Sequence, residues 1–145
     1  MNDFKSDVEI RWSDLDPNFH LRHSAYYDFG AFARIDFFTR HGLTFDVMLQ
    51  HNIGPILFRE ECVFKREINF NDKVEVDLQL IKSIKDGSRW TMVHNIWKND
   101  DILSAIITID AAWIDIAKRK LCTPPDVVMN AFKIAPKAED FEWSV

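Results

Sequence analysis

The stretch from Ser24 to His41, SAYYDFGAFARIDFFTRH, has helical periodicity and is apolar almost all the way round. Tyr26, Phe29, Ala33 and Phe37 repeat at helical spacing, and Tyr27, Gly30, Phe32 and Phe38 widen that stripe until little polar surface is left. Leaving such a helix in water is unfavourable by roughly 25 cal/mol for each Å² of apolar surface. The rest of the chain must therefore wrap it. Ser24 is placed to cap its first turn, and Gly42 suits a left-handed residue just past its end.

Beyond the helix the chain reads as strands. Ile56, Phe58, Cys62, Phe64 and Ile68 share one face of an extended segment, with Arg59, Glu61, Lys65 and Glu67 on the other. Val74, Val76, Leu78, Leu80 and Ile84 alternate with Glu75, Asp77 and Gln79, the pattern of a half-buried strand. Asp86-Gly87 marks a hairpin, and Asn99-Asp100-Asp101 marks the next turn. Between them Trp90 to Trp97 is extended, and a last strand runs from Ile102 to about Ala117. Pro124-Pro125 ends the sheet in this reading, and Asp126 to Phe132 forms a short terminal helix. Before the long helix, Val8 to Trp12 is a first short strand.

One apolar helix followed by a four- or five-strand antiparallel meander predicts an α+β fold whose sheet curls around the helix, the hot-dog arrangement. A ferredoxin-like or steroid-isomerase-like sheet also holds one helix and stays open on pattern alone. The 145 residues suit a single domain, with no linker or repeat dividing residues 1–145. Twelve Phe and five Trp exceed the needs of so small a core, which points to an apolar pocket or a subunit contact. A net charge of −5 argues against a nucleic-acid or membrane-surface binder. No run approaches the roughly 18 apolar residues of a membrane span, and the N-terminus does not resemble a secretory signal. The expected address is cytoplasmic, with Cys62 and Cys122 as reduced thiols.

The chemistry concentrates between the first strand and the helix. The segment from Asp14 to His23, DLDPNFHLRH, packs two carboxylates, an Asn and two His into one loop. Ionisable groups on a loop held by rigid elements are a common way to build a site, although Asp16 or Asn18 can also simply form a turn. His20 and His23 are spaced as in some metal sites, but no further ligands complete a set, so no metal is expected. The four glycines form no phosphate-cradling loop.

This segment resembles the signature of the 4-hydroxybenzoyl-CoA thioesterase-like hot-dog family, approximately W-x-D-x-D-x-x-G-H-V-N-N-x-x-Y followed by a helix ending in A-R. Trp12, Asp14, Asp16, His20, Tyr26, Ala33 and Arg34 stand in register with it. Phe64 to Val74 and the closing strand through Trp113 continue the likeness. Asp16, Asn18 and His20 also resemble the D-x-N-x-H of plant acyl-carrier-protein thioesterases. Three positions depart: Phe19 stands where the family has Gly, Arg22-His23 replaces Asn-Asn, and Ala31 replaces a helix Glu.

The resemblance implies hydrolysis of an acyl-CoA or acyl-carrier-protein thioester, with coenzyme A present as part of the substrate and no resident cofactor. It implies Asp16 as nucleophile or general base, and the His23 backbone N–H at the helix start as oxyanion donor. His20 would orient Asp16 or a water, or be structural, and Asn18 would hold the water or make a turn. Asp14 is expected to be a capping or turn residue. Tyr26 and Phe19 would border the substrate, the Phe19 ring, on an ordinary backbone conformation, either narrowing or covering the acyl pocket or turning outward into the dimer contact. Arg66, with Arg59 and Lys65, would meet the coenzyme A phosphates. A homodimer or homotetramer with sites at the subunit contact is expected. An enoyl-thioester hydratase on the same fold is disfavoured by Leu15 and Phe19, and a non-catalytic acyl-thioester binder by the retained Asp16.

Overall fold

The computed structural model describes residues 4–145. Strand β1 (Lys5–Val8) leads through a 3-10 turn (Trp12–Asp14) to helix α1 (Ala25–Arg40) and a short helix α2 (Phe45–Gln50). Then come β2 (Ile53–Phe64), β3 (Val74–Asp77), β4 (Gln79–Ile84), β5 (Arg89–Lys98) and β6 (Ile102–Asp115). A two-residue β7 (Lys120–Leu121), helix α3 (Asp126–Ile134) and β8 (Lys137–Ser144) complete the chain. All the strands belong to one sheet. Across it β2 pairs with β6, β6 with β5, and β5 with both β3 and β4, which continue one line past Leu78. β1 lies beside β3, and β8 runs parallel to β4.

The sheet curls around α1 as the apolar helix demands. Ala25, Tyr26, Phe29, Ala33, Phe37 and Phe38 are buried against it. The inward residues of β6, Ala105, Ile107, Ile109, Ala111 and Trp113, supply the facing wall. Under the C-terminal half of α1 the aromatic excess forms a cluster: Trp90 lies 6.0 Å from Phe38, 5.8 Å from Trp113 and 5.4 Å from Phe132, ring centre to ring centre. Gly42 ends α1 with φ +87, and the Leu43 N–H reaches back to the Phe38 carbonyl at 2.8 Å. That is the left-handed stop read from the sequence, locked because Leu43 and Phe38 are both buried.

Several sequence expectations shift. Ser24 does not cap α1: its backbone is already helical, and its hydroxyl accepts from the Arg22 guanidinium instead. The first strand lies at Lys5–Val8, while Trp12 enters the 3-10 turn because Asp14 folds back onto the Arg11 N–H at 2.9 Å. Pro124-Pro125 does not end the sheet; β8 returns to pair with β4. The Lys137 ammonium lets it do so by capping the end of α3 through the Phe132, Lys133 and Ala135 carbonyls. A bulge between Leu57 and Arg59 breaks the single alternation expected of β2.

The wrapped core contains one polar knot. His94 is fully buried on β5, its Nε2 3.1 Å from Arg34 Nη1 on α1 and its Nδ1 2.9 Å from the Asp77 carbonyl. Guanidinium only donates, so Nε2 accepts, and the neutral ring carries its proton on Nδ1. Gly30 lies beside this contact, where an added Cβ would stand 3.4 Å from His94 Cδ2. Burial, with the Arg34 charge second, holds the imidazole down at about 3. The folded pKa lies below the unfolded value of about 6.5, so protons favour the unfolded chain between those limits. Stability is then lost as pH falls through that window, by about 2 kcal/mol at pH 5. Urea denaturation at pH 7 and pH 5 should show this loss in the native protein and a smaller one in His94→Gln; equal losses would refute it.

Candidate active site

The loop between the 3-10 turn and α1 is a tight hairpin. The Phe19 N–H donates to the Asp16 carbonyl at 2.9 Å, and the Asp16 N–H to the His20 carbonyl at 2.8 Å. Asp16 Oδ1 accepts the backbone N–H groups of Asn18 (2.9 Å) and His20 (3.1 Å). Pro17 follows Asp16 in the turn, where its fixed φ is favourable. Leu15 bridges Leu21, His20 bridges Asn69, and the Leu21 N–H binds the Ile68 carbonyl at 2.8 Å, so the hairpin is tied to the β2–β3 connection.

Its base is held by Asp14, which is 1% exposed. Asp14 takes the Arg11 N–H and guanidinium (2.8 Å at the shortest) and stands 3.5 Å from Arg22. The hydrogen bond from the Arg11 side chain keeps its carboxyl below the usual range. With both oxygens engaged in the fold, Asp14 has the geometry of a turn residue.

Asp16 opens onto a cleft of about 330 Å³ with His20, His23, Tyr26, Phe64 and Arg66 among its walls. Its Oδ2 has no hydrogen-bond partner among the described residues, and neither has the His23 N–H two residues before α1. A fixed carboxylate and an available amide at a helix start therefore share one cleft. His20 Nε2 lies 3.2 Å from the Glu67 carboxylate, a partner that sequence reasoning missed because it comes from the far side of β2. Tyr26 packs edge-on against Phe64 at 5.0 Å, and burial pushes its phenol up to about 12, so it stays neutral. Lys65 and Arg66 overhang the cleft. Arg59 does not; it pairs with Glu61 on the outer face of the sheet. The Asn18 side chain is exposed and outside the cleft walls, its contribution being the backbone N–H.

Phe19 corrects the sequence reading most clearly. Its φ is +64, the left-handed conformation expected to be avoided there, because the residue that closes this turn must reverse the chain. The ring is 65% exposed and does not line the cleft of the single chain.

The curled sheet around a buried helix, with a carboxylate loop at the helix start, defines a hot-dog-fold protein. Residues 10–132 match the family model described as the thioesterase-like superfamily. The chain belongs to that superfamily and is a thioester hydrolase. No curated protein matches it in sequence. Among solved structures it is similar to a Staphylococcus aureus protein in complex with CoA (TM-score 0.82, 17% identity, covering 93% of this chain and 87% of that one). It is also similar to the DHNA-CoA thioesterase of Staphylococcus aureus (0.80, 19%, 90% and 89%). A third is a Thermus thermophilus thioesterase complexed with coenzyme A and Zn (0.74, 21%, 89% and 90%). Among the described residues no group of three or more His, Cys, Asp or Glu side chains is placed to hold a metal ion.

A left-handed backbone costs a non-glycine residue roughly 1–2 kcal/mol, against which glycine loses some unfolded-state entropy. Phe19→Gly should therefore stabilise the protein by about 1 kcal/mol, read as a raised midpoint in urea. Phe19→Ala, which keeps the strain, should show no gain; equal effects of the two would mean that the ring and not the backbone is responsible.

Proposed function

We propose that the protein hydrolyses acyl-CoA thioesters in the cytoplasm, with Asp16 as the catalytic carboxylate. One observation carries the reading. Asp16 is fixed by two backbone N–H groups through Oδ1 while Oδ2 stays unpaired, in the same cleft as an unpaired N–H at the start of α1. The CoA complexes of similar folds support coenzyme A as the carrier. Cys62 and Cys122 are free thiols, and among the described residues no helix is long and apolar enough to cross a membrane.

In this reading the thioester carbonyl sits over the helix start, its oxygen facing the His23 N–H. Asp16 Oδ2 either attacks the carbonyl carbon or takes a proton from the water that does. Negative charge gathers on the carbonyl oxygen, where the amide and helix dipole stabilise it. The C–S bond then breaks, the thiolate leaves and is protonated, and water supplies the oxygen of the free acid. If Asp16 attacks first, water releases the acid from the mixed anhydride. His20, braced by Glu67, keeps the turn that aims Asp16. Lys65 and Arg66 meet the coenzyme A phosphates.

The site is completed by a second copy. Among the described residues β2 has one strand partner, β6, which leaves its other edge open, and Leu57, Phe58, Val63 and Phe64 along it are exposed. Joining two such edges covers these side chains and brings the partner beside the cleft.

Asp16→Asn retains an oxygen for the Asn18 and His20 N–H groups, so the fold should survive. Turnover of a CoA thioester should fall by at least about 10²-fold. An unchanged rate in a variant with the native melting temperature would end this mechanism. Light scattering at micromolar concentration should show a dimer or a dimer of dimers; a monomer would refute the shared edge.

A further inference from the structure

A second cavity, about 190 Å³, lies between α1 and β2 at the opposite end from Asp16. The two elements run antiparallel: Tyr26 meets Phe64 beside the Asp16 cleft, and further along the helix Ala31, Arg34 and Phe38 face Pro55 and Leu57. The walls are apolar except for the Trp90 indole and one charged group, the Arg34 guanidinium.

Arg34 is unusually placed for an arginine. Its side chain is 9% exposed, yet the one hydrogen bond it makes among the described residues runs from Nη1 to His94. Glu60 stands 4.0 Å from Nη2, an ion pair too long for a hydrogen bond. Burial lowers its pKa to about 10, so it is charged at neutral pH. A guanidinium carries five N–H donors, and its Nε–Nη2 edge matches the two oxygens of a carboxylate. On Arg34 that edge has no hydrogen-bond partner among the described residues.

Distance and volume set the ligand. From Ser24 to Arg34 the helix rises about 15 Å, and helical side chains lean back toward the N-terminus, which leaves about 10 Å between the thioester position and the guanidinium. An extended chain covers about 1.2 Å per bond, so roughly eight bonds span the gap. A cavity of about 150 Å³ accommodates a benzene ring, so this one accepts the end of such a chain. Ala31, one turn before Arg34, contributes only a methyl group to the wall of this cavity.

We propose that this cavity is the acyl-end subsite, and that Arg34 selects acyl groups ending in a carboxylate: CoA monothioesters of medium-length dicarboxylic acids. The proposal rests on the thioesterase reading above and names its substrate class. Leu57 in its wall lies on the open β2 edge, so the subsite, like the catalytic cleft, borders the face that a second copy covers.

The test compares suberyl-CoA with octanoyl-CoA, equal in carbon number and different at the far end. The suberyl thioester should have at least a tenfold higher kcat/KM, the effect of about one charge-assisted hydrogen bond. Ala31→Leu fills the cavity and leaves the Arg34–His94 contact intact, so it should fold and abolish the preference. Calorimetric binding of two unhydrolysable CoA thioethers, S-(7-carboxyheptyl) and S-octyl, separates this proposal from the one it rests on. Tenfold tighter binding of the carboxylate form without turnover of either thioester would keep the subsite and end the hydrolase reading. Turnover of both thioesters with a ratio near one would keep the hydrolase and end the subsite. So would a preference unchanged in folded Ala31→Leu.

Discussion

The burial of α1 is the constraint on which the rest of the structure depends. Its sixteen residues carry apolar side chains on nearly every face, and only a sheet that closes around them removes that surface from water. The curl of the sheet, the inward face of β6 and the aromatic cluster of Trp90, Trp113, Phe38 and Phe132 all serve that enclosure. A helix held this way is a rigid post. Its start borders the cleft that Asp16 opens onto, and its midsection walls the second cavity.

Two polar devices interrupt the apolar packing, and they do different work. Arg34, His94 and the Asp77 carbonyl form a buried chain linking α1, β5 and the end of β3, which fixes the helix in register with the sheet. Around the loop, Asp14, Arg11 and Arg22 clamp one end of the hairpin while Leu21, His20 and Glu67 tie the other to the β2–β3 connection. The Asp16 carboxylate is thus held by backbone geometry between two anchors. The strain at Phe19 is tolerated because both anchors over-determine the turn.

Much of this was legible from local pattern. The extent of α1, its left-handed stop at Gly42, the alternation of Val74 to Leu80 and the loop rich in ionisable groups each depend on neighbours a few residues apart. Periodicity records such dependences directly. Expectations failed where a residue had two local options and a distant partner chose between them. Ser24 could cap the helix, but the Arg22 guanidinium claimed its hydroxyl. Phe19 could avoid the left-handed region, but closing the turn between Asp16 and His20 required it. Strand β8 comes after a proline pair that reads as a terminus, and only the open side of β4 shows why the chain returns.

What the sequence by itself determined was an apolar helix needing enclosure, strands able to enclose it, and a carboxylate loop at its start. These features come from side-chain chemistry and the fixed repeats of helix and strand. Only the tertiary structure decided which carboxylate is bound up in the fold and which keeps an oxygen open to the cleft. Asp14 and Asp16 are two residues apart and chemically identical, and they differ because Arg11 and Arg22 reach the first. The tertiary structure likewise set Glu67 beside His20 and Arg34 beside an apolar cavity, pairings across 47 and more than 20 residues. No local repeat encodes such pairings, because the distance between two side chains in space is set by how the sheet closes.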